Sequence, residues 1–427
     1  MKTEVHVAAL AAFLLPALPT CAFAQDASDA AQGNDAARID ELERRIDLLA
    51  EELEAARLGS GGARVGEGKY GLGAAASRVY HVPQGVSIGG YGELSYVDVM
   101  GGDATLDLHR AILYFGYRFD DHWLVNSEFE FEHATIEDTN DGSGDTAPGE
   151  VSVEFAYVEY QHDPTFGARA GLMLVPMGFV NELHEPNAFL SADRPFVEQR
   201  ILPSTWRENG VGVFGECDCG LSWRVYAMAG LDASGFSSNG IRGGRQQGGQ
   251  SSAEDLAIVA RVDQALTDGL TIGASGYHGR TGQTLSLGAR TTILEGHFDW
   301  RMDGFRARGL YARTEVDDVA ELNAALGLAG ADSIGDSQDG YYVELGYDLL
   351  HGKDQSLVPF VRYEALDTQK SVPTGFAKDP SRDREYLVFG ASWSPIPEIV
   401  VKADYVDADD GAGGAEDLVR LTLGWVF

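Results

Sequence analysis

The carboxy-terminal stretch from Leu418 to Phe427 reads LVRLTLGWVF and decides the fold class. Its apolar residues recur at every second position: Val419, Leu421, Leu423, Trp425 and Phe427. This period of two is that of a β-strand with one apolar face, and Arg420 and Thr422 lie on the opposite face. An aromatic pair at the end of such a strand suits a membrane interface. The stretch therefore predicts a strand of a transmembrane barrel, with an ordinary edge strand as the alternative.

The first 24 residues have the features of a secretory signal peptide, 1–24. Lys2 precedes an apolar run over 7–18, and Ala22-Phe23-Ala24 matches an A-x-A cleavage site. No later stretch reaches the roughly 18 apolar residues that a membrane-spanning helix needs. A chain of this kind crosses a membrane only as a closed barrel, because only a closed sheet satisfies its backbone in lipid.

Charge and composition narrow the class of protein. The chain has 66 acidic against 32 basic residues, a net charge of −34, which excludes nucleic acid as a partner. A hydrophobic content of 44% argues against disorder. The 53 glycines, together with many tyrosines and phenylalanines, fit an all-β architecture.

A helix and a linker are predicted ahead of the barrel. Over 25–58, apolar residues recur at spacings of three and four and form a short heptad seam: Ile39, Leu42, Ile46, Leu49, Leu53 and Ala56. A helix this short needs partner helices, although packing on its own domain is the alternative. The Gly-rich residues 59–84 then predict a flexible linker, and a barrel follows over 85–427.

About 16 alternating segments follow from residue 86, an even number, as a single-chain bacterial barrel requires. Connections after even segments are tight, as at Asp120-Asp121 and Met302-Asp303, and most of those after odd segments are long, notably 176–206 and 232–253. This alternation predicts a transmembrane antiparallel β-barrel with short periplasmic turns. The amino-terminal helix would then lie in the periplasm.

Three motifs carry a family resemblance: Gly-Gly-Tyr-Gly-Glu at 89–93, Leu-His-Arg-Ala at 108–111 with Phe-Gly-Tyr-Arg-Phe at 115–119, and Arg-Glu-Asn-Gly-Val-Gly at 207–212. With the terminal Phe427, they resemble trimeric outer-membrane porins, specifically the phosphate-selective porin O and P family. The resemblance implies a homotrimer in outer-membrane lipid, diffusion of small hydrophilic solutes including anions such as phosphate, and no cofactor or catalysis. It also implies that the barrel-assembly machinery reads Trp425 and Phe427.

Strand alternation places charged residues on the lumen face, if the apolar face meets lipid. The basic ones are Arg110, Arg118, Arg169, Arg224, Arg261, Arg306, Arg308, Arg362 and Arg420, and the main acidic ones are Glu93, Glu128, Glu130 and Glu132. The family's phosphate selectivity is associated with an arginine ladder and a lysine cluster, but the few lysines here are scattered. Phosphate selectivity is therefore in doubt. Alternatively, the arginines neutralise lumen carboxylates and stiffen the wall.

Residues 176–206 are too apolar for a solvent-exposed loop. By resemblance to trimeric porins, we expect this loop to fold into the barrel as its constriction, with candidate residues His184, Glu185, Asp193, Arg194, Glu198 and Arg200. Arg169, Arg194, Arg200, Arg306 and Arg308 would form one positive wall facing Glu128, Glu130 and Glu132. No metal site is predicted, because the spacing of His184, Glu185 and Asp193 is unspecific.

Cys217-Asp218-Cys219 falls in a predicted periplasmic turn. A disulfide is the first expectation, free thiols the second and metal binding the third. Two rival functions stay open beside a channel. An outer-membrane enzyme needs a nucleophile and a base, and no G-x-S-x-G context occurs. A structural tether would have a barrel filled by side chains.

Overall fold

The computed structural model describes residues 44–46, 68–133, 149–285 and 287–427. The chain divides into two compact units, 1–61 and 62–427. The signal peptide predicted for 1–24, the helix predicted for 25–58 apart from a helical turn at 44–46, and residues 59–67 lie outside the described residues. Within the described ranges, the helices are all too short or too polar to span a bilayer.

Sixteen antiparallel strands form a closed barrel, which confirms the predicted fold class. Each strand pairs with the next along the chain, and the last pairs with the first. The strands are β1 (Gly85–Val99), β2 (Ala104–Arg118), β3 (Trp123–Glu132), β4 (Glu150–Asp163), β5 (Phe166–Leu174), β6 (Arg207–Glu216), β7 (Leu221–Ala229), β8 (Leu256–Thr267), β9 (Leu270–Arg280), β10 (Arg290–Met302), β11 (Phe305–Val316), β12 (Ser337–Tyr347), β13 (Ser356–Ser371), β14 (Asp383–Ile396), β15 (Ile399–Asp410) and β16 (Leu418–Val426).

The closing seam explains the glycines of the first motif. β16 pairs with β1 from Val426 opposite Tyr91 to Leu418 opposite Val99, and Phe427 exchanges two backbone hydrogen bonds with Gly90, each 2.9 Å long. A Cβ atom on Gly92 would lie 2.2 Å from the Trp425 ring. Glycine is therefore required where the terminal aromatic side chains cross the first strand.

The two rims of the barrel differ in loop length. Tight turns follow most even strands, as at 164–165 and 303–304, and this end is called the turn rim. The long connections at 175–206, 230–255 and 317–336 follow odd strands and belong to the opposite loop rim. Two α-helices lie in loops, α1 (Phe196–Arg200) and α2 (Val319–Leu326). The alternation predicted from sequence is observed, apart from a short connection at 100–103 after β1 and a longer one at 348–355 after β12.

The strand faces segregate apolar from charged side chains. Large apolar residues such as Ile88, Phe115, Ile258 and Leu294 are exposed on the outside. A closed barrel with an apolar exterior is suited to lipid rather than water. A register shift in the β3–β4 pair changes which side chains of β4 are buried. Glu154 and its neighbour Phe155 are both buried, and beyond them Glu159 is buried as well.

Residues 68–80, which we call the inner segment, pack against the interior of the barrel. Leu72, Ala76 and Val79 are buried, and the 3₁₀ helix Ala76–Tyr80 contacts β1, β2 and β3. Asn126 donates a 2.9 Å hydrogen bond to the Ala76 carbonyl. This differs from the flexible linker predicted for 59–84. The glycines here allow close packing: a Cβ on Gly73 would lie 2.2 Å from the Glu185 carboxylate.

Candidate functional site

The loop 175–206 lies across the lumen and is held by side chains of the distant wall. Its Ala192 amide donates to the Asp404 carboxylate of β15 at 2.6 Å, and its Val197 amide donates to Glu364 of β13 at 2.9 Å. Val197 has no solvent-exposed surface. These backbone contacts fix the loop inside the barrel, where burial of its apolar side chains stabilises it.

Glu198 ties this loop to itself and to β12. Its carboxylate accepts from the amides of Phe179 and Val180 at 2.7 and 2.8 Å, and from the Tyr342 hydroxyl at 2.7 Å. Burial raises the pKa of Glu198. With its oxygens used in this way, Glu198 stabilises the loop and does not face open space.

His184 and Glu185 also make internal contacts. The His184 Nε2 atom lies 3.2 Å from the Glu128 carboxylate, and Glu185 accepts from the Ala75 amide of the inner segment at 3.0 Å. Burial raises the pKa of Glu185 to about 7, against the opposing effect of the Ala75 and Ala76 amides. Glu185 therefore joins the loop to the inner segment.

Most of the predicted lumen arginines are paired with carboxylates. The pairs are Arg110–Glu93, Arg169–Glu159, Arg224–Glu182, Arg261–Asp263, Arg308–Asp299, Arg362–Glu344, Arg362–Glu364 and Arg420–Asp404. Arg118 instead donates to backbone carbonyls near the turn rim. These pairs form a rigid charged lining, the alternative that the sequence left open.

A cavity of about 400 Å³, the loop-side chamber, lies between the strand wall and the loops. Its acidic lining comes from Glu130 and Glu132 of β3, Glu150 and Glu154 of β4, and Asp193 of the 175–206 loop. Its basic lining is Arg194, Arg207, Arg242 and Arg245, together with His109 of β2. The chamber thus has carboxylates on the strands and guanidinium groups mostly on the loops.

Arg242 and Arg245 come from the 230–255 loop, which folds inward because Ile241 is fully buried. Both arginines donate to the Ser204 carbonyl, at 2.5 and 2.8 Å, and both also bond to Thr205. Burial and the neighbouring arginines lower the pKa of Arg242 to about 9 and that of Arg245 to about 10. Both therefore keep their positive charge at neutral pH.

Asp193 is the acidic exception on the loop side. Burial raises the pKa of its carboxyl, but the Arg420 and Arg194 guanidinium groups outweigh that effect and hold the pKa at about 2. The Arg420 Nη1 atom lies 4.0 Å from Asp193. Asp193 is therefore ionised and partly neutralised.

A second cavity of about 510 Å³, the turn-side chamber, opens toward the turn rim. The inner segment lines one side of it from Gly68 to Ala74, and Arg301 and Arg306 lie on another side. The two chambers share no lining residue. Between them lie the packed 175–206 loop and Lys402, whose Nζ is 3.7 Å from the centre of the Phe189 ring.

The predicted positive wall is only partly assembled. Arg194 faces the chamber with Glu130 and Glu132. Arg169 is instead paired with Glu159, Arg306 lines the turn-side chamber, and Arg308 is paired with Asp299. Arg200 is half-buried near Arg384, and burial with that neighbour lowers its pKa. Sequence reasoning missed Arg207, Arg242 and Arg245 as chamber residues. The apolar Phe236 and Ile241 in an otherwise polar loop were the available signal that it folds inward.

The turn between β6 and β7 holds a disulfide that joins Cys217 and Cys219, whose Cα atoms lie 5.2 Å apart. Among the residues that the structure describes, no group of three or more His, Cys, Asp or Glu side chains is arranged to hold a metal ion. The disulfide lies on the turn rim, away from the loop-side chamber.

No family model matches the chain. A protein of Aquifex aeolicus (strain VF5), described as an uncharacterized protein, is 38% identical over 373 residues, which cover 84% of this chain and 83% of that protein.

Solved structures with a similar fold are outer-membrane proteins. The Salmonella typhi OmpF complex with daunomycin gives a TM-score of 0.54 at 14% identity and covers 81% of this chain and 98% of that chain. An anion-selective porin from Comamonas acidovorans gives 0.51 at 13% identity over 80% and 99% of the two chains. The trimer form of OmpT from Vibrio cholerae gives 0.51 at 14% identity over 80% and 99%. These likenesses show the shared fold, and membership of the phosphate-selective porin family stays a prediction.

Proposed function

We propose that this chain, which belongs to the same family as the Aquifex aeolicus protein, is an outer-membrane channel for passive diffusion of small hydrophilic solutes. The observation that carries the proposal is the charged loop-side chamber inside a closed barrel with an apolar exterior. An unpaired charge in a protein interior is costly, so a barrel that served only as an anchor would gain nothing from it. The shared fold with solved porins adds support.

The basic lining favours solutes that carry an anionic group. The guanidinium groups of Arg194, Arg242 and Arg245 have no carboxylate oxygen within 4.0 Å among the described residues. A guanidinium group binds phosphate or carboxylate in a bidentate manner, so inorganic phosphate is one anion that this wall can hold. The overall charge of −34 does not oppose this, since charges beyond a Debye length of about 8 Å are screened.

The remaining features of the proposal concern assembly. We infer a homotrimer in outer-membrane lipid, with the turn rim and the amino-terminal helix in the periplasm and the long loops outside the cell. The apolar outer surface and the trimer form of the structurally similar OmpT support this arrangement. The position of Trp425 and Phe427 on the closing seam is consistent with a signal that the barrel-assembly machinery reads.

A structural tether is the second candidate. The packed layer between the two chambers favours it, because the chambers share no lining residue. A tether predicts no ion current, whereas a channel predicts one, so electrical recording separates the two functions.

The test uses planar bilayers containing the purified full-length chain. We expect the triple variant Arg194→Gln, Arg242→Gln, Arg245→Gln to conduct and to shift the reversal potential in a KCl gradient toward cation selectivity. The shift should be larger at 0.1 M than at 1 M salt, where the Debye length falls from about 10 to about 3 Å. Arg313→Gln is the matched control, since Arg313 pairs with Glu315 on the exposed end of β11. An unchanged reversal potential in the triple variant would contradict the role of the arginines.

A further inference from the structure

The loop-side chamber contains unpaired charges of both signs. Among the described residues, Glu132 and Glu150 have no basic nitrogen within 4.0 Å, and Arg207 is the one lining arginine that pairs with a lining glutamate, Glu154 at 2.5 Å. Opposite charges that share a chamber and do not pair are separated by more than a contact distance. A solute that carries both a positive and a negative group could pair with both sets of side chains at once.

Arg242 and Arg245 are held in place without a carboxylate partner. Arg242 and Arg245 donate hydrogen bonds to the Ser204 carbonyl and to the Thr205 hydroxyl, and these acceptors carry no net charge. Arg194 is only 7% exposed, and its Nε atom has no hydrogen-bond partner within the described chain. A buried, positioned and unsatisfied guanidinium group is costly unless an anion completes it.

On the strand wall of the chamber, Glu132 and Glu150 lack a positively charged partner. Glu132 of β3 lies directly opposite Glu150 of β4 in the strand register, and both side chains line the chamber. Like charges directly opposite each other on neighbouring strands destabilise a sheet. A cationic group seated between Glu132 and Glu150 would remove that repulsion.

We propose that the loop-side chamber selects small zwitterionic solutes, whose carboxylate is held by Arg194, Arg242 and Arg245 and whose ammonium group is held by Glu132 and Glu150. The proposal rests on the proposed function and names its solute class. A simple anion satisfies the arginines but meets repulsion from the carboxylates, and a simple cation meets the reverse. A zwitterion satisfies both walls and brings no net charge into the barrel.

The test measures equilibrium binding to the full-length protein in detergent by line broadening of the solute's NMR signals. β-Alanine is compared with butanoate, which replaces the ammonium by a methyl group, and with β-alaninamide, which replaces the carboxylate by a neutral amide. We expect β-alanine to bind about fivefold to tenfold more tightly than either, as the loss of one charged contact in a partly solvated site implies.

Two double variants test which residues hold the ammonium group and which hold the carboxylate of β-alanine. Glu132→Gln with Glu150→Gln should weaken β-alanine to the level of butanoate while leaving butanoate binding equal or tighter. Arg242→Gln with Arg245→Gln should weaken β-alanine to the level of β-alaninamide. The control, Arg313→Gln with Glu315→Gln, removes an exposed pair outside the chamber and should change neither affinity.

Binding and conduction are read separately. Equal affinity for β-alanine, butanoate and β-alaninamide, or variants that bind β-alanine like wild type, would overturn the zwitterion site even if the protein conducts KCl. Preferential β-alanine binding by a protein that does not conduct would support the site and overturn the channel.

Discussion

Replacement of Gly73 by valine should release the inner segment from the lumen. A Cβ at this position would lie 2.2 Å from Glu185 Oε1 and 2.3 Å from its carboxyl carbon. Glu185 is 2% exposed and has little room to move. Either the carboxylate or the segment has to shift, and the hydrogen bond from the Ala75 amide to Glu185 is lost in both cases.

The magnitude follows from these two effects. Overpacking a well-packed interior costs roughly 1–3 kcal/mol. Leaving a buried polar group without its partner costs roughly another 1–3 kcal/mol. The total of at least about 2 kcal/mol should lower the ratio of docked to undocked segment about 30-fold or more. Since the segment lines the turn-side chamber, its release should also widen that chamber.

A cysteine at Ala76, which is 3% exposed, reports docking through its rate of reaction with a soluble thiol reagent. Cys217 and Cys219 are joined by a disulfide and do not compete, and the protein is labelled without residues 1–24, which contain Cys21. We expect faster labelling and larger single-channel conductance in Gly73→Val, with Gly249→Val as the control because a Cβ there meets nothing within 4 Å. Labelling and conductance equal to the parent, in protein that shows a heat-modifiable barrel, would mean that Gly73 does not hold the inner segment in the lumen.

Three further changes test other parts of the structure. Trp425→Asp, or deletion of Phe427, should abolish accumulation of heat-modifiable barrel in outer-membrane fractions, because both disrupt the closing seam; normal levels would contradict this. Arg362→Met leaves Glu344 and Glu364 buried without their partner and should cost about 3–5 kcal/mol in chemical unfolding, whereas a change below about 1 kcal/mol would argue against a structural ion pair. Burial raises the Glu185 pKa to about 7, so the folded state holds a proton that the unfolded state releases near pH 4, and stability falls as pH rises through that window. Glu185→Gln should therefore stabilise the barrel at pH 8 by up to about 3 kcal/mol and leave its stability at pH 4 unchanged. Parallel pH profiles of unfolding for the two proteins would exclude a raised Glu185 pKa in the folded state.

Alternation predicted the barrel well because each strand has to present one face to the exterior and the other to the lumen. The strand predicted over 418–427 is observed as Leu418–Val426, and Arg420 on its inner face pairs with Asp404. A period of two fixes the face of a side chain whenever the ladder is regular. The register shift in the β3–β4 pair changes that period, and Glu159 was missed beyond it.

The glycine content of 59–84 gave a wrong prediction for the inner segment, because glycine serves both flexible linkers and close packing. Gly71 and Gly73 read as parts of a linker, but Gly71 has a φ of +90° and a Cβ there would meet the Arg224 guanidinium at 2.3 Å. Close packing and chain flexibility both require residues without side chains. The sequence alone does not separate these causes, because the partner surface comes from Glu182 and Arg224, more than a hundred residues away.

Only part of the lining of the loop-side chamber could be predicted from the sequence. Glu130 and Glu132 follow from strand alternation, and Arg194 follows from an apolar loop that needs burial. Arg242 and Arg245 lie in an aperiodic loop, whose path depends on the burial of Ile241 and on the carbonyl of Ser204. Such tertiary contacts leave no local period in the sequence.

Single-channel recording of the wild-type protein in planar bilayers shows whether the barrel is a channel. We expect discrete, ohmic current steps in KCl, carried through the loop-side and turn-side chambers past the packed 175–206 loop. The protein used has to show a heat-modifiable barrel, so that silence cannot come from unfolded chains. Folded protein that inserts into the bilayer and passes no current would contradict a channel and leave the structural tether as the function.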